Sequence, residues 1–109
     1  MTTINILTRT GRREFYFRNL NESIRNQSYK KIRHFKSNDN PECNYLDNEK
    51  DVIKVEQDKS KGNAFYNLYL NDLGKNIEEG WVIILDDDSK LIDSNFISEL
   101  AKECEKTKP

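Results

Sequence analysis

Short apolar runs alternate with amphipathic stretches along this chain, and the alternation predicts its elements. "INIL" at 4–7 is apolar and β-branched, stopped by the polar "TRTGRR", and reads as a strand. Over 12–27 the period changes: Phe17, Leu20 and Ile24 recur at i, i+3 and i+7, one face of a helix. "KIRHFKS" at 31–37 alternates, with Ile32 and His34 on one side and Phe35 on the other, and the turn-rich "NDNPECN" follows. "DVIKVE" at 51–56 predicts a third strand. Phe65, Leu68, Tyr69 and Leu73 predict a second helix, with Gly74 as its stop. "WVIIL" at 81–85 is continuously apolar, which predicts a strand covered on both faces. Phe96, Ile97, Leu100, Ala101 and Cys104 form the stripe of a last helix over 94–106, with Asp93 or Ser94 as its N-cap. The order β-α-β-loop-β-α-β-α predicts an α/β fold, a mostly parallel sheet of about four strands flanked by helices on both faces, in one domain spanning 1–109.

Composition narrows the function classes. Of the 109 residues, 34% are charged and 35% hydrophobic, so the core is small and the surface heavily charged. The formal net charge of −1 provides no global basic field for nucleic acid or anionic membrane. Lys30, Lys31, Arg33 and Lys36 form a basic run that "DNEKD" balances, which reads as a solvated face. No apolar stretch approaches the ~18–20 residues of a membrane span, and "MTTINILTRTGRR" lacks the order of a secretory signal. Cys43 and Cys104 fit no C-x-x-C pattern and read as free thiols of a cytoplasmic protein. His34, the only histidine, reads as structural.

In parallel sheets ligands bind outside the carboxyl ends of the strands. "TRTGR", "SNDN" and "DDD" each follow a predicted strand, so three polar clusters should share one sheet edge. Adjacent carboxylates repel and raise one another's pKa, and a divalent cation removes that penalty. Hard oxygen donors select Mg²⁺, Mn²⁺ or Ca²⁺ over zinc, and Mg²⁺ sites commonly take one or two carboxylates, completed by water and substrate phosphates. The other reading of Asp86, Asp87 and Asp88 is a solvated acidic turn. An EF-hand loop counted from Asp86 fails, because its sixth and twelfth positions hold Leu91 and Ile97. A phosphatase-type D-x-D would open its domain, whereas only about twenty residues follow this one.

Four segments, in order, resemble the N-terminal nucleotide-binding half of a GT-A glycosyltransferase of the family-two kind. "INILTRTGR" is similar to its first strand and the loop that cups the base. "ESIRNQSYKKIRHFKSND" is similar to its helix end, S-I-x-x-Q-x-Y, with the second strand and its terminal aspartate. "GNAFYNLYLN" is similar to a helix carrying an asparagine near the nucleotide. "GWVIILDDDSKL" is similar to the strand leading into the D-x-D metal motif.

The resemblance implies a Rossmann-like core that binds a UDP-sugar with Mn²⁺ or Mg²⁺ and transfers, or slowly hydrolyses, its hexosyl group. Thr8, Arg9, Thr10 and Arg12 would line the uracil and ribose. Asp39 would accept a hydrogen bond from the base, and Lys61 and Asn67 would approach the nucleotide. Asp86 and Asp87 would face the ribose and sugar, and Asp88, with Asp86, would hold the metal. Family members continue for about as many residues again, with acceptor binding and the general base in that half. Neither the acceptor nor a catalytic base is therefore assigned. The alternative is a non-catalytic nucleotide-sugar-binding module completed by a partner chain. Apolar residues near the last strand and helix, Trp81, Phe96 and Ile97, point to a homo-oligomer.

Overall fold

The computed structural model describes residues 2–38, 40, 42–54, 77 and 79–106. The elements run β1 (Ile4–Thr10), α1 (Glu14–Arg25), β2 (Ile32–Asn38), β3 (Val52–Lys54), β4 (Trp81–Ile84) and α2 (Phe96–Lys106). The expected helix over 63–74, with Lys61 and Asn67, lies outside the described residues, as does Asp39.

Strands β2, β1 and β4 form a parallel sheet with β1 in the middle, in register Ile4↔Ile32 and Ile4↔Trp81. The three-residue β3 extends it beyond β2, giving the order β3-β2-β1-β4. The chain moves outward from β1 on one side through β2 and β3, then crosses to β4 on the other side. The gap between the ends of β1 and β4 is therefore a topological switch point.

The pleat divides the core. Ile4 and Ile6 of β1 pack with Leu20 and Ile24 of α1 and with Ile97 and Ala101 of α2, joined by Ile32, Ile83 and Leu85. Leu7 and Phe35, one residue out of phase, pack with Ile77 on the opposite face. Both described helices thus lie on one face of the sheet. Burying these side chains contributes roughly 1.5–3 kcal/mol each before chain entropy is charged against it.

Several expectations need correction. The run "WVIIL" is not buried on both faces: Trp81, Val82 and Ile84 are 38%, 45% and 52% exposed. Among the described residues β4 pairs with β1 alone, and only the alternate positions Ile83 and Leu85 reach the core. The buried strand is β1. Helix α1 begins at Glu14 rather than 12, because Arg13 has the non-helical backbone φ −132°, ψ 68°. Helix α2 begins at Phe96 rather than 94, because Asp93 forms a turn ahead of it. There its carboxylate accepts Asn95 N–H (2.9 Å) and its carbonyl accepts Phe96 N–H (3.1 Å). Ile97 is fully buried, so of the three residues expected at an oligomer surface only Trp81 and Phe96 are exposed. Lys36 does not lie on a solvated face. It is buried, with Nζ donating to the Lys50 carbonyl (2.9 Å) and 3.8 Å from Glu49, and burial lowers its pKa.

The junction of α1 with α2 rests on the segment that carries the S-I-x-x-Q-x-Y resemblance. Gln27 is buried, donating to the Asp93 carbonyl (2.8 Å) and accepting the Ile97 N–H (3.0 Å). It satisfies an orphan donor of the first turn of α2. Ser23 accepts the Leu91 N–H (3.1 Å), and the Tyr29 hydroxyl donates to the Thr2 carbonyl. At the start of β4, Gly80 adopts φ +94°, and a Cβ there would lie 2.2 Å from the Thr3 carbonyl oxygen that accepts Trp81 N–H.

Candidate functional site

The polar loops after β1, β2 and β4 meet at the carboxyl edge of the sheet, at the switch point. The loop after β4 turns tightly, with Ser89 N–H donating to the Asp86 carbonyl (3.0 Å). That turn separates the three aspartates. Asp87 points inward, its side chain 5% exposed, while Asp88 is 50% exposed and Asp86 faces solvent.

Asp87 is held by two donors from the β1 loop. The Thr10 hydroxyl donates to its Oδ2 (3.0 Å), and the Arg13 guanidinium donates to its Oδ1 in a charge-assisted pair. A second guanidinium nitrogen lies 3.4 Å from Asp88 Oδ2. The hydrogen bond to Asp87 and the neighbouring carboxylates raise the Arg13 pKa, so the cation is fixed. Part of the repulsion expected of the triplet is thus neutralised from within the chain.

The loop after β2 closes the site from the other side. The Tyr45 hydroxyl lies 2.7 Å from Thr10 Oγ1 and accepts the Gly11 N–H (2.7 Å). Asn40 Nδ2 donates to the Gly11 carbonyl (2.9 Å). Gly11 has φ +142°, a backbone that glycine adopts without a Cβ penalty. Phe17 supports the arrangement from α1, its ring 5.6 Å from that of Tyr45 and 6.3 Å from the imidazole of His34.

The structure brings Thr10, Asp86, Asp87 and Asp88 together but gives them unequal parts. Thr8 is fully buried, its hydroxyl 2.8 Å from His34 Nε2, so its side chain supports β1 from below the edge. Thr10 is buried beneath Asp87 rather than presented outward. Arg12 is exposed and Arg9 half-buried. Arg13 and Tyr45 were not singled out in the sequence. Arg13 carries a signal, a second arginine following a strand and facing an acidic triplet across the sheet. Tyr45 carries none, since its contacts reach back 34 and 35 residues.

Among the described residues no three histidine, cysteine, aspartate or glutamate side chains gather into a metal-holding group. The outward-facing donors are the carboxylates of Asp86 and Asp88, hard oxygen ligands in the number that Mg²⁺-type ions take from a protein. No described helix is long and apolar enough to cross a membrane.

Neither protein-family profiles nor curated proteins contain a match to this sequence. A solved structure does match: residues 1–349 of TarS from S. aureus, a glycosyltransferase, at 18% identity with a TM-score of 0.79 over 95% of this chain. The chain spans about a third of that structure, 32% of its length. What the two share is the fold: a small, Rossmann-like α/β unit with a parallel sheet, similar to part of a glycosyltransferase.

Proposed function

We propose that this chain is the nucleotide-sugar-binding unit of a GT-A-type glycosyltransferase, taking a UDP-sugar with Mn²⁺ or Mg²⁺. The observation that carries the reading is the meeting of "TRTGRR" and "DDD" at the switch point between β1 and β4. Open α/β sheets bind their ligands there, and the likeness to a glycosyltransferase supports this choice of ligand. Asp88, with Asp86, would hold the cation. Its chemistry is to neutralise charge on the diphosphate as the sugar departs. The exposed Arg12 and the half-buried Arg9 would approach the nucleotide from the β1 loop, with Asp39, Lys61 and Asn67 as further candidates. The side chains of Thr8, Thr10 and Asp87 would shape the site from beneath.

Thermal melting with UDP tests the reading. A ligand present at 100 times its dissociation constant stabilises a native protein by ~2.7 kcal/mol, and each kcal/mol is worth ~4–8 °C in a domain near this size. A rise on that scale is expected with UDP and Mn²⁺, shrinking when EDTA is added. No rise with any nucleoside diphosphate at millimolar concentration would sink the proposal. Release of free sugar from a UDP-sugar then separates turnover from binding alone.

A further inference from the structure

We infer that Tyr45 and Arg13 are positioning residues that orient the aspartate loop through Asp87 and so present Asp88 to a cation. The inference rests on the proposed function for the cation and on hydrogen-bond direction for the rest. An ionised carboxylate only accepts, so the single proton of Thr10 is committed to Asp87 Oδ2 (3.0 Å). The 2.7 Å contact between Thr10 Oγ1 and the Tyr45 hydroxyl must then carry the Tyr45 proton toward Thr10. The Gly11 N–H donates to the same Tyr45 oxygen (2.7 Å). One directed chain results: Gly11 N–H to Tyr45 O–H to Thr10 O–H to the Asp87 carboxylate.

Every link is polarised in the same sense and ends on a buried charge, the arrangement in which such links strengthen one another. Arg13 closes the far side, donating to Asp87 Oδ1 and lying near Asp88. Asp87 is drawn inward by both, and in a tight turn that carries its neighbour Asp88 outward. Tyr45 comes from the segment between β2 and β3, and its ring is braced by Phe17. The aspartate loop is therefore held by a residue more than 40 positions away that touches none of the exposed carboxylates. Removing the Tyr45 hydroxyl would leave the Gly11 N–H without its acceptor and Thr10 without its donor. The Thr10 hydroxyl would still donate to Asp87, but without the incoming Tyr45 hydrogen bond that polarises it, so the anchor on Asp87 weakens.

Tyr45→Phe keeps the ring and every carboxylate and removes only the hydroxyl. Arg13→Lys keeps the charge and loses the planar fork. In the ligand-free protein, the ¹⁵N–¹H resonances of Asp86, Asp88 and Ser89 should shift in both variants while the fold is retained. Free-Mn²⁺ EPR in the presence of UDP should show affinity weakened by roughly tenfold, the lower end of what loss of an outer-shell partner costs. Loop resonances that stay in place in both folded variants would overturn the inference, as would shifted resonances with unchanged Mn²⁺ affinity. If the wild-type protein binds no Mn²⁺ with UDP, the functional proposal fails. The resonances then judge the anchoring alone, and their staying in place would overturn it.

Discussion

Three adjacent aspartates share a charge but not an environment. Asp87 is a buried acceptor of two donors, whereas Asp88 is half exposed. Asp88→Ala should therefore leave no core cavity and should remove most of the Mn²⁺ dependence of UDP binding in a folded protein. Calorimetric titration with and without Mn²⁺ checks this, and undiminished metal dependence would assign the ligand elsewhere. His34 behaves differently. It is buried beneath α1 with Nε2 bonded to Thr8, its Nδ1 has no hydrogen-bond partner among the described residues, and burial pushes its pKa from 6.5 down to about 3. The unfolded chain binds this proton below its ordinary pKa and the folded chain does not. The His34 contribution is thus fully present above pH ~6.5 and falls by about 1.4 kcal/mol per unit as pH drops toward 3. Urea midpoints of wild type and His34→Leu, compared from pH 7.5 to 4.5, should show the steeper decline in wild type. Parallel declines would remove His34 as the cause.

At the scale of elements, the periodicity of α1 was readable because one stripe faces one core. Phe17, Leu20 and Ile24 are all buried, as their spacing predicts. The boundaries and the junctions were less readable. Gln27 sits one residue beyond the turn that ends α1, yet its amide caps α2. Gln27→Ala would leave the Ile97 N–H buried and unpaired, at about 1–3 kcal/mol, while the Asp93 carbonyl keeps the Phe96 N–H as its donor. A fall in melting temperature of at least about 5 °C is expected. Gln27→Glu keeps the acceptor for Ile97 but sets a buried carboxylate oxygen against the Asp93 carbonyl, so it should be no less destabilising. A melting temperature unchanged in Gln27→Ala would show that Gln27 does not hold the two helices together.

For the whole molecule, β4, at the end of the described sheet, presents apolar residues along its length, Val82 and Ile84 on one face and Trp81 on the other, with Phe96 exposed at the start of α2. Self-association through this surface is the expected outcome, in keeping with the frequency of closed two-fold dimers. Light scattering at micromolar concentration should give at least twice the 12.9 kDa chain mass. Trp81, the sole tryptophan, should blue-shift as concentration rises. A monomer mass with an unchanged spectrum would leave this surface uncovered by a second copy.

Local pattern and three-dimensional packing contributed different things. Strand and helix types followed from side-chain period, because burying one face of an element imposes that period wherever it occurs. The meeting of "TRTGRR" with "DDD" followed from element order, because parallel strands bring their carboxyl ends to one edge. Exposure of β4 did not follow: "WVIIL" is apolar at every position, and what packs over each face of a strand, not its composition, sets how many faces are covered. Nor did the burial of Lys36, which depends on a carbonyl and a carboxylate 14 and 13 residues further along the chain. The inward turn of Asp87 was equally hidden, since its donors come from residues 74 and 77 positions away. Contacts between distant segments leave no period in the chain, and they decide which of three identical carboxylates faces water.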